Sequence, residues 1–264
     1  MDYDGYQSIA VERRERVLRL TLNRPEALNA IDAQLHDELS RIFFDVGMDE
    51  ETDVVVLTGA GRAFCAGGDM GWLQSLIEDP YGWQRVAIGG KRIVMGILEA
   101  RQPVIAQIQG PAVGLGATIA LACDVTFAAA GTRIGDPHVS VGLAAGDGGT
   151  ALWPALIGYA RARELLYSGE LIEAERAAAM GLINHVVPAD RLEAEVDAFA
   201  QRLAAGATRA IQWTKAAINQ PLRQLASGNL DLSLTLEGLS NLTADHAEGI
   251  AAFVARREPR FSGR

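Results

Sequence analysis

Residues 64–70 read FCAGGDM and residues 110–118 read GPAVGLGAT, and these two glycine-rich segments are the most informative part of the sequence. Each follows an apolar, strand-like run, Val54 to Leu57 or Val104 to Ile108, and each leads into a helix-like stretch. Glycines at a strand-to-helix turn let backbone amides approach a ligand, and amides at a helix N-terminus are unsatisfied donors with partial positive charge. Two such turns that converge on one oxygen predict an oxyanion hole for an enolate or a tetrahedral alkoxide.

The order of segments along the chain carries a family resemblance. FCAGGDM is followed by PVIAQIQGPAVGLGATIALACD, by GLINHVV at 181–187 and by the tail EGIAAFVARREPRFSGR at 248–264. Together they resemble the crotonase superfamily, the enoyl-CoA hydratase/isomerase family, whose members bind acyl-CoA thioesters. The resemblance runs from about Val17 to Arg264, nearly the whole chain. It implies an α/β, ClpP/crotonase-like fold, a spiral of ββα repeats.

The resemblance also implies how the chain is divided. Residues 1–190 are expected to form the spiral core with the active site. Residues 191–264 are expected to form a helical region for trimerisation, often with pairing into hexamers, and to supply part of the CoA pocket. It further implies a lyase or isomerase of fatty acid metabolism, with no cofactor other than the coenzyme A of its substrate.

Composition limits the remaining classes of function. The chain has 264 residues, is 49% hydrophobic and carries a net charge of -9, which argues against non-specific binding to nucleic acid or anionic membranes. No uninterrupted apolar run is long enough for a membrane span, and the N-terminus lacks the apolar region of a signal peptide. Cys65 and Cys123 are too few for a disulfide framework and have no metal-ligand neighbour, so we expect a cytoplasmic protein without a metal site.

Local patterns predict individual elements. Val17 to Leu22 alternates like a strand, and Asp32 is placed to cap a helix that runs to Phe43. Further helices are predicted over Val86 to Ala100, Ala117 to Cys123, Thr208 to Asn219 and Ala244 to Arg257, and a strand over Val125 to Ala128. Leu192, Val196, Phe199 and Leu203 fall on one helical face, which we expect to join subunits.

The oxyanion donors follow from the resemblance. Carried over by position, they are the backbone amides of Gly68 and Leu115. Leu115 stands where a glycine is more usual and narrows the acyl pocket. The two catalytic glutamates of the hydratases fall on Thr118 and His138, so both carboxylates are missing. A threonine hydroxyl cannot act as a base at neutral pH, and the two-glutamate mechanism of the family is therefore not available.

A histidine and an aspartate stand in their place. His138 and Asp147 flank a glycine-rich loop that can fold them together, and a histidine oriented by a carboxylate is a general base near neutral pH. This stretch resembles the 6-oxocamphor hydrolase-type members of the superfamily, which cleave a carbon–carbon bond with a histidine and an aspartate. Asp147 also precedes a helix start, so a plain N-cap is the competing interpretation.

The CoA contacts are likewise implied by the resemblance. They fall on the turn after the first predicted strand, on the segment before the second helix, and on the tail: Arg24, Ala27, Leu28, Ala66, Asp69, Met70 and Phe261. For Asp69, helix capping and ligand contact both stay open, and the tail arginines suit either CoA or a helix C-terminus. His36 is expected on an exposed helical face, and His185 and His246 in structural or solvated positions.

The sequence thus predicts an enzyme that stabilises an enolate of an acyl-CoA thioester, with His138 as the general base that activates water or moves a proton and Asp147 as the carboxylate that orients it. One alternative is a hydrolase that cleaves a carbon–carbon bond of a β-diketone or β-ketoacyl substrate. Another is an acyl-CoA-binding relative without activity. No pattern in the sequence identifies the acyl group of the substrate.

Overall fold

The computed structural model describes the backbone of residues 1–264 and the side chains of all of them except Pro80. The strands are β1 (Ile9–Arg14), β2 (Val17–Leu22), β3 (Val54–Gly59), β4 (Val104–Ile108), β5 (Ala112–Val113), β6 (Val125–Ala129), β7 (Arg133–Gly135), β8 (Ile172–Glu173) and β9 (His185–Val187). The helices are α1 (Ala33–Met48), α2 (Met70–Glu78), α3 (Pro80–Glu99), α4 (Leu115–Ala122), α5 (Gly149–Ser168), α6 (Ala174–Ala179), α7 (Leu192–Ala204), α8 (Thr208–Asn241) and α9 (Ala244–Val254).

The main sheet has the strand order β1-β2-β3-β4-β6-β9 and is parallel except for the antiparallel pair β1 and β2. All residues of β3 and β4 are buried, because helices cover both faces of the sheet. A smaller sheet contains β5, β7 and β8. Two sheets joined by helical crossovers confirm the predicted α/β class.

The first helix forms as its sequence predicts. The Asp32 side chain caps α1 by accepting a hydrogen bond from the Leu35 amide at 2.9 Å. Leu35, Leu39 and Ile42 fall on one side of the helix and are fully buried in the main core. This stripe packs α1 against α3, which forms one wall of the site described below.

The apolar stripe of α7 has a different use from the one predicted. Leu192 and Val196 are buried against Val56 and Phe127 of the main sheet, and Phe199 packs at the edge of the same cluster. The prediction that this stripe joins subunits is therefore wrong, because the outer face of the sheet already covers it. An apolar stripe has the same helical period whether it packs on the sheet of its own chain or on another subunit, so the sequence does not distinguish these two uses.

Helix α8 runs on past the predicted end at Asn219 and contains Pro221. Proline removes one helical hydrogen bond, but packing on both sides of it outweighs that loss. Before the proline, Lys215 Nζ donates to the carbonyl oxygens of Ile97 (3.1 Å) and Gln102 (2.9 Å). After it, Ala226 and Leu230 are fully buried.

The last turns of α8 reach the loop between α5 and the preceding 3-10 turn. The Ser233 hydroxyl donates to the Gly146 carbonyl at 2.6 Å, and the Ala144 amide donates to Ser240 Oγ at 3.0 Å. The predicted C-terminal region thus helps to shape this loop. Within the part of the chain that the structure describes, no helix has the length and apolar character needed to cross a membrane.

Candidate active site

The two glycine-rich turns lie side by side. The Cys65 amide donates to the Pro111 carbonyl at 3.1 Å, and the Val113 amide donates to the Cys65 carbonyl at 2.9 Å. Gly67 has φ of +90°, and a Cβ on it would lie 3.0 Å from the Val113 carbonyl oxygen. Glycine at position 67 therefore allows both the left-handed backbone and the close approach of the turns.

The backbone N–H groups of Gly68 and Leu115 are the predicted oxyanion donors. Among the described residues, neither amide has a hydrogen-bond acceptor. Leu115 is the first residue of α4, where an N–H has no partner within the helix. Both residues line one cavity, so two backbone donors without an acceptor belong to the wall of the same cavity. An oxyanion hole is built from such unpaired donors.

His138 begins a 3-10 turn beside these donors. Its Nδ1 is paired with the carboxylate of Asp136, whose side chain is fully buried. A Cβ on Gly114 would lie 3.4 Å from Cε1 of His138, so the ring uses the space that this glycine leaves. The interpretation of Asp147 as the orienting partner needs correction, because Asp136 occupies the Nδ1 side of the ring.

Asp147 lies on the other side of the imidazole. Its Oδ2 is 3.4 Å from Nε2 of His138, and its Oδ1 accepts a hydrogen bond from the Thr118 hydroxyl at 2.9 Å. Helix α5 begins at Gly149 with Gly148 as its N-cap residue, so Asp147 precedes the cap position by one residue. A hydrogen bond from the Gly149 backbone nevertheless acts to lower the pKa of the Asp147 carboxyl group, so this side chain also contacts the start of the helix. The structure thus brings together the histidine and the aspartate that the sequence singled out.

A third carboxyl group completes the cluster, and sequence analysis missed it. Glu237, in α8, is 5% exposed, and its Oε1 lies 3.7 Å from Nε2 of His138. A signal was present in the sequence, since Glu237 continues the buried stripe of Ala226, Leu230 and Leu234 at helical spacing. A charged residue on the buried face of a helix is uncommon unless it has a partner or a role.

Burial and mutual interaction shift the pKa values of these groups. Burial lowers the pKa of His138, but the surrounding carboxylates, Asp136 foremost, outweigh burial and raise it well above its usual value. Burial raises the pKa of Asp147 to about 6, although His138 and the Thr118 hydroxyl act in the opposite direction. Burial also raises the pKa of Glu237 well above its usual range. The carboxylates thus favour the charged form of His138, His138 favours the ionised form of Asp147, and burial favours the neutral form of Glu237.

The cavity has a volume of about 360 Å³ and mostly apolar walls. Trp72 and Trp83 contribute large surfaces to it, and His36 lines it beside Trp72, with ring centroids 5.2 Å apart. His36 is 6% exposed, so its predicted position on an exposed face is wrong. Helix α3 covers that face, where a Cβ on Gly89 would lie 2.4 Å from His36 Cε1. Burial lowers the pKa of His36 to about 4.

The predicted CoA residues of the first turns form one connected edge. Ala66 and Met70 line the cavity, and the Ala66 amide donates to the Leu28 carbonyl at 3.1 Å. Arg24 forms an ion pair with Asp69 at 3.8 Å. Ala27 ends the 3-10 turn Pro25–Ala27 that leads to Leu28.

Two further CoA candidates are placed as follows. Asp69 caps α2, with Oδ1 accepting from the amides of Gly71 (3.0 Å) and Trp72 (3.1 Å), which confirms the capping interpretation. Phe261 is 44% exposed in the tail, whose next residue, Ser262, donates its amide to Asp245 of α9 at 2.6 Å. Nearer the cavity, the tail contributes Arg257 to the lining.

Among the described residues, one cluster has the spacing of a metal site. Asp136, His138 and Asp147 offer ligand atoms within 4.8 Å of one another. Both ring nitrogens of His138 face carboxylates, however, and Thr118 donates to Asp147, so most polar atoms of the cluster are engaged in an ion-pair network. Oδ2 of Asp136 is buried and has no hydrogen-bond partner among the described residues. The chemistry that this arrangement favours is proton transfer.

The histidines outside the cluster are of two kinds. His246 is fully buried, and its Nδ1 lies 2.7 Å from the Val141 carbonyl oxygen, which confirms a structural position. His185 is exposed in β9, where its ring packs on Phe127 with centroids 4.4 Å apart. Neither lies among the residues that line the cavity.

Comparison with known proteins assigns nearly the whole chain to one family. The family described as enoyl-CoA hydratase/isomerase matches residues 12–264. A crotonyl-CoA hydratase of Syntrophomonas wolfei is 33% identical over 259 residues, which cover 97% of this chain and 98% of that protein. A 1,2-epoxyphenylacetyl-CoA isomerase of Escherichia coli is 35% identical over 253 residues, covering 94% and 95%.

Solved structures give the same result for the fold. The crystal structure of an enoyl-CoA hydratase/isomerase from Mycobacterium paratuberculosis superposes with a TM-score of 0.91 at 37% identity. The match covers 94% of this chain and 99% of that one. The expected spiral fold with a helical C-terminal region is therefore confirmed.

Proposed function

Because this chain belongs to the enoyl-CoA hydratase/isomerase family, we propose that it is a lyase or isomerase that forms an enolate of its acyl-CoA substrate between the amides of Gly68 and Leu115. The observation that carries the proposal is that both amides lack an acceptor and line one cavity. A negative oxygen that develops there gains two charge-assisted hydrogen bonds without reorganisation of the protein.

Asp147 is the proton acceptor in this proposal, and His138 and Thr118 hold it. The Thr118 hydroxyl fixes one oxygen, and the other faces Nε2 of His138. Asp136 holds the ring from the opposite side. The imidazolium favours the ionised form of Asp147, which keeps a buried carboxylate basic but charged at neutral pH.

The edge formed by Arg24, Leu28 and Ala66 is proposed to receive the coenzyme A, with Ala27, Asp69 and Met70 beside it and Phe261 from the tail. Arg24 already pairs with Asp69, so its guanidinium is held at this edge before the ligand arrives. The same substrate supplies the coenzyme A, and no further cofactor is part of the proposal. A cytoplasmic role in fatty acid metabolism is the setting we propose for it.

Subunits are proposed to associate through the end of α8 and through α9, as trimers or hexamers. Leu232, Leu236 and Leu239 are 62%, 47% and 58% exposed, and their spacing puts them on one side of α8. Phe253 and Val254 of α9 are 59% and 68% exposed. This much exposed apolar surface is typical of a protein interface.

Carbon–carbon hydrolysis is the second candidate, and one observation favours it. The residues at the two hydratase positions are a threonine and a histidine, and the histidine is flanked by Asp136 and Asp147. That setting suits activation of water as well as proton transfer at carbon. The same oxyanion donors would then hold the alkoxide formed by water attack on a ketone.

Assays of the purified protein separate the two candidates. We expect turnover of crotonyl-CoA or of its 3-enoyl isomer, followed by the enoyl absorbance and by chromatography of the CoA esters. Free crotonate, which lacks coenzyme A, is the matched control and should not react. Cleavage of a cyclic β-diketone without reaction of the CoA esters would favour the hydrolase. No reaction with either class would indicate a binding protein without activity.

A further inference from the structure

Glu237 occupies an unusual position for a glutamate. It lies on the buried side of α8, four residues after Ser233, whose hydroxyl anchors the helix to Gly146. A Cβ on Gly146 would lie 2.7 Å from Oε2 of Glu237, so the carboxyl group packs directly against this loop. Its side chain is 7% exposed and lines the same cavity as Gly68 and Leu115.

The contacts of Glu237 are incomplete. Its Oε1 is 3.7 Å from Nε2 of His138, which is longer than a hydrogen bond. Its Oε2 is buried and has no hydrogen-bond partner among the described residues. A buried carboxylate with so few partners is costly, and a purely structural role would favour an apolar residue here. The Glu237 side chain thus lines the cavity, but its Oε2 lacks the hydrogen-bond partner that a buried carboxyl oxygen needs.

We propose that Glu237 is a proton donor of this enzyme and that it forms, with Asp147, a two-carboxyl proton-transfer site on either side of His138 Nε2. The pair would replace the two glutamates whose positions are taken by Thr118 and His138. The proposal rests on the proposed function for its substrate, an acyl-CoA thioester. The geometry that supports it is the approach of both carboxyl oxygens to one ring nitrogen, at 3.4 Å and 3.7 Å.

The proton balance of one turnover closes within the cluster. In hydration, Asp147 takes a proton from water while the hydroxide oxygen bonds to the β-carbon, and Glu237 gives its proton to the α-carbon as the enolate collapses. In isomerisation, Asp147 takes the proton from the γ-carbon instead. The site then holds a protonated Asp147 and an ionised Glu237. His138 resets it by giving the Nε2 proton to Glu237 and taking the proton of Asp147.

The charges around Glu237 agree with this assignment of donor and acceptor. The titratable groups that face it are Asp136, His138 and Asp147. Burial raises the pKa of Glu237 well above its usual range, whereas the pKa of Asp147 is about 6. Burial therefore favours the protonated form of Glu237, which suits a proton donor, while His138 favours the ionised form of Asp147, which suits a proton acceptor.

The test compares Glu237→Gln with Asp231→Asn. Both replace a carboxyl group of α8 by an amide, but Asp231 is exposed, with 69% of its side chain accessible, and pairs with Lys91. We expect Glu237→Gln to lower kcat by about a hundredfold or more, with KM within a few-fold of the wild type. The alkaline limb of the wild-type pH profile, where Glu237 loses its proton, should be absent in this variant. Asp231→Asn should behave like the wild type.

Infrared difference spectroscopy tests the protonation state independently of turnover. At pH 7 the wild-type protein should show a protonated-carboxyl stretch that Glu237→Gln removes and Asp231→Asn retains. If wild-type protein turns over acyl-CoA and Glu237→Gln is equally fast, the proposal is overturned. If no such stretch is lost, it is overturned as well. If the stretch is lost but the wild type acts on no CoA ester, the proposed function fails while the protonated Glu237 stands.

Discussion

The Thr118 hydroxyl donates a 2.9 Å hydrogen bond to the Asp147 carboxylate, so the side chain at the first hydratase-glutamate position supports a carboxylate supplied by another loop. The two residues are 29 positions apart, and β6 of the main sheet, β7 of the smaller sheet and the 3-10 turn at His138 lie between them. In the proposed mechanism, the carboxyl group that accepts the proton is therefore that of Asp147 rather than one at position 118. Threonine is also smaller than glutamate, so Thr118 leaves the space that the Asp147 side chain occupies.

Thr118→Val should shift the acidic limb of the activity profile to higher pH. The hydroxyl stabilises the ionised form of Asp147, so its removal raises the pKa of that carboxyl group. Loss of a hydrogen bond to a charged group costs enough free energy to raise this pKa, and with it the acidic limb of the profile, by roughly one to two pH units. Thr118→Ser keeps the hydroxyl and is the control. Profiles of kcat/KM that coincide for valine and wild type would contradict the assignment.

Asp147→Asn should lower kcat by roughly two to four orders of magnitude, because the amide cannot accept a proton. In the wild type, the rate should fall as the pH drops through about 6, where Asp147 becomes protonated and ceases to be a base. The residual rate of the asparagine variant should lack this dependence. A melting temperature close to that of the wild type would exclude unfolding as the cause. Wild-type turnover in this variant would return Asp147 to a structural role.

Leu115→Pro should lower turnover by about a hundredfold or more, because it removes one oxyanion donor. Position 115 is the first residue of α4, where proline fits the helix and only a free N–H is lost. Leu115→Ala shortens the side chain and keeps the N–H, so the ratio of the two variants isolates the donor. Binding of the CoA ester, measured by calorimetry, should change far less than kcat. Equal turnover in both variants would place the oxyanion elsewhere.

His36 should make folding sensitive to acid. Its pKa is about 4 in the folded protein, below the ordinary value of 6.5, so the unfolded chain binds a proton between these values that the folded chain does not. The free energy of unfolding therefore falls as the pH drops through this window, by up to roughly 3 kcal/mol for this group. Urea titrations of His36→Leu should show a smaller loss than the wild type between pH 7 and pH 4.5. The variant His185→Gln, which removes an exposed histidine, should retain the wild-type loss.

Subunit association is tested at α8. Sedimentation at micromolar concentration should show a trimer or hexamer for the wild type. The double variant Leu236→Glu, Leu239→Glu should shift it toward the monomer, because two charges cannot be buried in an apolar interface without a partner. Tyr167→Glu, a charge added at a residue of α5 that is 75% exposed, is the control. A monomeric wild type would show that this surface has another use.

The elements with strong local patterns were predictable from the sequence. Strands β2, β3, β4 and β6 lie where the apolar runs place them, and the Asp32 cap starts α1. The failures came from tertiary packing. The length of α8 through Pro221 depends on its contacts with α3. Strand β1 was not predicted because charged side chains occupy part of it and because it forms by pairing with β2.

The site was partly predictable for a similar reason. His138 and Asp147 share one stretch of chain, so a single loop brings them together. Asp136 lies in the same stretch, but spacing along the chain does not identify which carboxylate reaches Nδ1 of His138. Glu237 lies 90 or more residues away from either, and only the crossing of α8 over the loop at Gly146 places it in the cavity.

The dependence of the cavity on α8 sets the time at which the chain becomes active during its synthesis. The sheet, both glycine turns and His138 precede α8 in sequence, but a domain generally folds as a unit. The carboxyl group of Glu237 arrives only with the helix that also anchors the Gly146 loop. Nearly the whole polypeptide must therefore be made before the proposed pair of carboxyl groups can come together at His138.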